Sequence, residues 1–196
     1  MVKSICLRDM FERECPGLVR TSKDLRVLLD TNAFRYRLNG NGLKFAVSSG
    51  VFKELGRYPD VFPDEVVRDL GILLNPDVIN EMISVEDELC IERAVAKSLK
   101  SAYRRNKKIG WVDVQQIGYA MERAKRGENT VLVSNDGDIL GTTSVLRRRE
   151  KYIREHVAAV SVQRYLERKH EAYLIGKAGH SRRELIREIE GQYLAA

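Results

Sequence analysis

The sequence predicts an α/β protein built on a parallel sheet covered by helices, and three observations carry that prediction. Short, unbroken apolar runs occur twice, at Val27-Leu28-Leu29 and Val131-Leu132-Val133. Runs of this length suit strands buried on both faces, as in a parallel sheet between helices. Each run stops abruptly on a polar, acid-bearing segment: Asp30-Thr31-Asn32 after the first, Ser134-Asn135-Asp136-Gly137-Asp138 after the second. Around and between them lie stretches whose apolar residues recur at helical spacing. In open α/β sheets, ligands bind outside the carboxyl ends of the strands. The two acid-bearing ends are therefore candidate site segments, although Asp and Asn also favour plain turns.

The elements follow in chain order. Residues 1–24 read as a short helix and a loop broken near Cys15-Pro16-Gly17. After the first strand, Ala33–Leu38 suits one helical turn, and Asn39-Gly40-Asn41-Gly42 is a strong turn signal. Lys44–Val47 reads as a second strand, and Ser48 or Ser49 can cap a helix over Gly50–Arg57. In that helix Val51 and Leu55 face the core, and Glu54 sits at the polar border of their stripe. A helix over Asp64–Leu74 and a longer amphipathic one from about Val85 to Arg105 come next. Asp113 opens a helix through Lys125, where Asp is also a favoured cap. After the Thr130–Val133 strand, Ala158–Val162 reads as a last strand, and Gln163–Lys169 and Ser181–Tyr193 as helices. Trp111, Tyr165, Tyr173 and Tyr193 suit core packing, with base stacking as the alternative. The expected division is an N-terminal extension (1–24), a main domain (25–165) and a basic helical C-terminal extension (166–196).

Composition narrows the function classes. No window approaches the ~18 apolar residues of a membrane span. The N-terminus lacks the apolar core of a signal peptide, so a cytoplasmic location is expected. Three scattered cysteines and three histidines show neither CxxC nor zinc spacing. Any bound metal must then be held by carboxylates, which favours Mg²⁺ or Mn²⁺. Charge is blockwise on a net of +6: residues 60–92 carry ten acids and one base, 93–112 seven bases and no acid. Residues 146–196 carry twelve bases and seven acids. Within the long helix, Arg93, Lys97, Lys100 and Arg104 form a single-sign stripe, continued by Lys107 and Lys108. Two readings stand for it, a solvated face or contact with phosphates. The acidic block reads as solvated helix faces, with a basic partner as the alternative.

Four acids stand at element ends or near strand tips: Asp30, Glu54, Asp113 and Asp136, with Asp138 adjacent. Carboxylates brought together must share protons or hold cations. A site of oxygen ligands suits hard divalent ions. Two such ions roughly 4 Å apart can activate a water and steady the leaving oxygen of a phosphodiester.

The segments RVLLDTN (26–32), VSSGVFKELGR (47–57), WVDVQQIGYAMERAK (111–125) and NTVLVSNDGDI (129–139) together resemble the PIN-domain family of metal-dependent nucleases. They stand in that family's order over about residues 25–165. The resemblance implies a three-layer α/β/α sandwich with a central, mostly parallel sheet. It implies hydrolysis of RNA by a metal-activated water, with Mg²⁺ or Mn²⁺ as cofactor, leaving 5′-phosphate and 3′-hydroxyl ends. Asp30, Glu54, Asp113 and Asp136 would be the carboxylates, Asp138 a further metal ligand, and Asn32 and Ser134 supporting partners. RNA is the expected substrate, with DNA as an alternative. A homodimer, an antitoxin or a processing complex are the expected protein partners. The long interval from Glu54 to Asp113 and the two terminal extensions depart from the compact toxin-type members. From a different class, the chain would be a nucleic-acid-binding or scaffold module that keeps the fold without turnover. A dehalogenase-type phosphatase is disfavoured because Asn32 stands where its second Asp is needed.

Overall fold

The computed structural model describes residues 3–21, 25–40, 43–57, 110–176 and 181–194. The expected helices at 64–74 and 85–105, the acidic block and the basic stripe from Arg93 to Lys108 lie outside the described residues. So do the side chains of Trp111 and Tyr173.

Four parallel strands form the main sheet: β2 (Arg26–Leu29), β4 (Lys44–Ala46), β5 (Thr130–Val133) and β6 (Val157–Val160). Their spatial order is β4-β2-β5-β6. The pairing register explains why these apolar runs are unbroken. Val27 lies opposite Phe45 and Val131, Leu28 opposite Ala46 and Leu132, and Leu29 opposite Val133. Val27, Leu29, Phe45, Val131 and Val133 point into one hydrophobic cluster, whereas Leu28, Ala46 and Leu132 point into another. Both faces are covered, so alternation of apolar and polar residues is not needed. A one-residue slip would exchange the two faces, and the mixture of sizes across the register disfavours it.

Helices cover both faces, an arrangement compatible with three layers. On the first face pack α1 (Leu7–Glu14), α3 (Ser49–Arg57), α7 (Val162–Lys169) and α9 (Arg182–Gly191). On the second pack α4 (Trp111–Lys125), α5 (Gly137–Arg149) and α6 (Lys151–His156). Short helices α2 (Pro16–Thr21) and α8 (Glu171–Gly176) add Leu18 and Leu174 to the first face. Among the described residues no helix is long and apolar enough to cross a membrane.

Both terminal segments are built into this core. The N-terminal one holds two helices and a short strand, β1 (Ile5–Cys6), parallel to β3 (Leu38–Asn39), where the sequence predicted one helix and a loop. Leu7, Met10 and Phe11 at i, i+3 and i+4 are fully buried against the first face. At the other end Ile189 and Tyr193 enter the same cluster, and Tyr36 bridges to Leu194. Tyr165 is buried there too, so Tyr165 and Tyr193 take the core role rather than stacking on bases.

Several elements differ from expectation. The last strand runs Val157–Val160 instead of Ala158–Val162, because Ser161 caps α7 and Val162 already belongs to that helix. Helix α4 begins at Trp111, so Asp113 falls inside the first turn and Gly110 takes the cap position without a side-chain bond. Helices α5 and α6 fill residues that show no clear apolar period. A one-turn 3-10 helix (Thr31–Arg35) directly follows β2, with Asp30 as its cap.

Candidate functional site

The order β4-β2-β5-β6 means that the chain leaves β2 in one direction and later returns to its other side. Ligand crevices in doubly wound sheets form where connections diverge in this way, at the strands' carboxyl ends. Asp30 ends β2 and Ser134 to Asp136 follow β5, its neighbour, so the acid-bearing ends flank that crevice.

Asp30 is buried and holds the crevice together. Its Oδ1 accepts from the backbone N–H of Thr31 (2.8 Å) and Nε2 of Gln116 (3.0 Å). Its Oδ2 accepts from Nδ2 of Asn32 (2.5 Å) and the hydroxyl of Ser134 (2.6 Å). These four donors occupy the usual acceptor capacity of a carboxylate. Ser134 Oγ also accepts from the Asp136 N–H (2.8 Å), which fixes the loop after β5 on the end of β2. Asp136 caps α5, its Oδ1 accepting from the Asp138 N–H (2.6 Å). Asp138 lies in the first turn of that helix, where a negative charge complements the dipole.

Glu54 reaches the crevice from α3. Ser48 caps this helix through the Val51 N–H, as the sequence suggested. Glu54 Oε2 accepts from the Thr31 hydroxyl at 2.5 Å, so it is not a plain surface glutamate. Helix α3 approaches α4 closely at Gly50, whose N–H donates to Gln115 Oε1. A Cβ on Gly50 would lie 2.5 Å from that oxygen and 2.8 Å from Val112 Cγ2, so glycine permits the approach that brings Glu54 toward Asp113.

Asp113 is half-buried and accepts no hydrogen bond among the described residues. Burial, followed by the charges of Asp136, Asp30, Asp138 and Glu54, pushes its carboxyl up to about 7. Among the described residues every charged neighbour acting on it is another carboxylate. The structure thus brings Asp30, Glu54, Asp113, Asp136 and Asp138 into one electrostatic group, with Asn32 and Ser134 among its supports.

Whether the group suits a metal can be judged from its donors. Among the described residues no three His, Cys, Asp or Glu side chains are spaced to close on a single ion. The donors are all oxygens, however, and among the described residues no base pairs with them. Mg²⁺ keeps several of its waters and needs only one or two carboxylates directly. A loose ring of acids contacting a hydrated ion fits that requirement better than a tight ligand cage. The oxygens open to such an ion belong to Asp113, Asp136, Asp138 and Glu54, because those of Asp30 are filled.

Three partners escaped the sequence. Gln116 lies one turn beyond Asp113 and is 1% exposed, and only its burial in the middle of a helix betrays it. Asn135 donates its N–H to Asn32 Oδ1 (2.7 Å) and its Nδ2 to the Tyr36 hydroxyl (3.0 Å). Its Oδ1 accepts from Ser161 Oγ (2.9 Å) and the Gln163 N–H (3.0 Å). Tyr36 in turn donates to Glu190 Oε1 at 2.9 Å, so α9 buttresses the crevice through Tyr36 and Asn135. Tyr36→Phe leaves Asn135 and Glu190 short of partners and is expected to cost about 1–2 kcal/mol in chemical denaturation. The Cys15 thiol is pushed up to about 11, first by burial, which rules out a ready thiolate there.

No protein-family model, curated protein or solved structure matches this chain.

Proposed function

We propose that the chain is a PIN-like, divalent-metal-dependent endoribonuclease, toxin-like or RNA-processing in role. The observation that carries this reading is Asp113: a half-buried carboxylate, without a hydrogen-bond donor among the described residues, surrounded by four others at a strand-end crevice. An arrangement that raises a carboxyl this far is unfavourable unless a cation or proton answers it.

Mg²⁺ or Mn²⁺, when bound, would supply a more acidic water and stabilise charge on the phosphodiester oxygens. Asp113, Asp136, Asp138 and Glu54 would hold it through open oxygens. Asp30 orients Ser134 and Asn32 and adds negative charge to the crevice. Thr31 steers Glu54, and Ser134 fixes the Asp136 backbone. The bases from Arg93 to Lys108 would track the RNA backbone.

A second reading, an RNA-binding module without turnover, is favoured by one feature. Asp30 has no acceptor site left for a metal unless it gives up a hydrogen bond. The two readings separate in one assay: labelled mixed-sequence RNA and matched DNA, each with Mn²⁺, Mg²⁺ or EDTA. The nuclease reading predicts RNA cleavage in either metal and none in EDTA. Equal RNA affinity in Mg²⁺ and EDTA, with no cleavage in any condition, would establish the binding module instead.

A further inference from the structure

A cleft of about 520 Å³ runs beside β6, the last strand of the described sheet. Arginines from three helices line it: Arg147 and Arg148 from α5, Arg154 from α6, and Arg164 and Arg168 from α7. Among the described residues Glu14 is the one acid in its wall, and it pairs with Arg168 at 2.6 Å. Among the described residues the other four arginines have no carboxylate partner. Arg147 and Arg148 stand in the last turn of α5, where a base complements the helix dipole. Arg154 stands likewise in the last turn of α6, but Arg164 lies in the first turn of α7, where the dipole disfavours a base, and it still faces the same space. A surface tuned for solubility intersperses both signs, whereas this wall gathers one.

Two buried polar atoms in the wall, Arg147 Nε and Thr143 Oγ1, have no hydrogen-bond partner among the described residues. Thr143 is only 2% exposed. Buried donors left unsatisfied are unfavourable, and an oxyanion in the cleft would answer both. The guanidinium fork matches phosphate in geometry as well as charge.

The cleft also adjoins the acidic crevice. Ser161 lies in its wall and donates to Asn135, whose N–H donates to Asn32, which donates to Asp30. Strands β5 and β6 are direct neighbours, with Val133 opposite Val160.

We propose that this cleft holds phosphate groups of an RNA strand whose adjoining phosphodiester lies at the acidic crevice. The choice of RNA over a single phosphate rests on the nuclease reading above, whereas the anion chemistry rests on the arginines alone. The test measures binding of labelled single-stranded RNA in EDTA across a salt series. Wild type is compared with Arg148→Gln/Arg154→Gln/Arg164→Gln, three exposed positions. Arg126→Gln/Arg183→Gln/Arg187→Gln removes equal charge at exposed positions outside the cleft.

The cleft variant should weaken binding at least about tenfold and lower the salt slope by about 2, at roughly 0.7 per lost contact. The control variant should change affinity less than about twofold. Single replacement of Arg164 should give about a third of the slope change, which keeps the test valid if the triple variant misfolds. Equal effects of the two triples, or none, would overturn the proposal. So would a wild type that binds a 5′-mononucleotide or a polyglutamate peptide but not RNA. Arginine-dependent RNA binding without cleavage by wild type would uphold the cleft and refute the nuclease. Cleavage with RNA affinity independent of these arginines would do the reverse.

Discussion

Replacing Asp30 with alanine is expected to destabilise the protein by about 3 kcal/mol, apart from any effect on catalysis. The carboxylate accepts from Thr31, Asn32, Gln116 and Ser134, which come from the 3-10 helix, α4 and the end of β5. Removing it strands buried donors on three elements, and each unmet donor costs about 1–3 kcal/mol. Rotation of the Ser134 hydroxyl and entry of water recover part of that loss. For a chain of this size the midpoint of thermal unfolding should fall by roughly 6–12 °C. Asp30→Asn keeps the shape and one acceptor oxygen, so about half the effect is expected. A fall of less than ~1 °C in either variant would show that Asp30 does not tie these elements together.

Asp113→Asn should act in the opposite sense. The folded-state carboxyl is raised to about 7 from an ordinary 3.8, first by burial and then by its acidic neighbours. Between those values the native state binds more protons than the unfolded state, so stability falls as pH rises. Below about pH 4 the group costs nothing, and above about pH 7 its full penalty is present. In EDTA at pH 8, Asp113→Asn is therefore expected to be more stable than wild type by about 1–2 kcal/mol, allowing for solvent screening at a half-buried group. Near pH 4 the two proteins should unfold together. Denaturant midpoints at the two pH values check this, and a variant less stable at pH 8 would contradict it.

These two acids show what the sequence could and could not reveal. The apolar runs ending on Asp30 and Ser134 identified two central strands, because burial on both faces removes polar residues from them. Their adjacency was legible only as a suggestion, since pairing order depends on connections whose geometry lies outside any local pattern. Asp113 looked like a helix cap. The helix begins two residues earlier, so the acid turns into the crevice and capping no longer explains it. Helix α5 was hidden because two of its core positions are threonines. Ile139, Thr142, Thr143 and Leu146 keep helical spacing and are all buried, but only two of them are apolar. Asn135 and Tyr36 could not be read locally, because their partners Ser161 and Glu190 come from distant parts of the chain.

The parallel sheet and its helices follow from these local patterns, whereas the nuclease reading depends on charge. Its central claim is that Asp113 is kept at an energetic cost because the acid group must receive a cation. The most direct measurement assays RNA cleavage in Mn²⁺ and thermal unfolding in EDTA, both at pH 8, on the same preparations of wild type and Asp113→Asn. The account predicts that the variant unfolds at a higher temperature yet loses cleavage by at least about 100-fold. A variant that is more stable and still cleaves at the wild-type rate would contradict it.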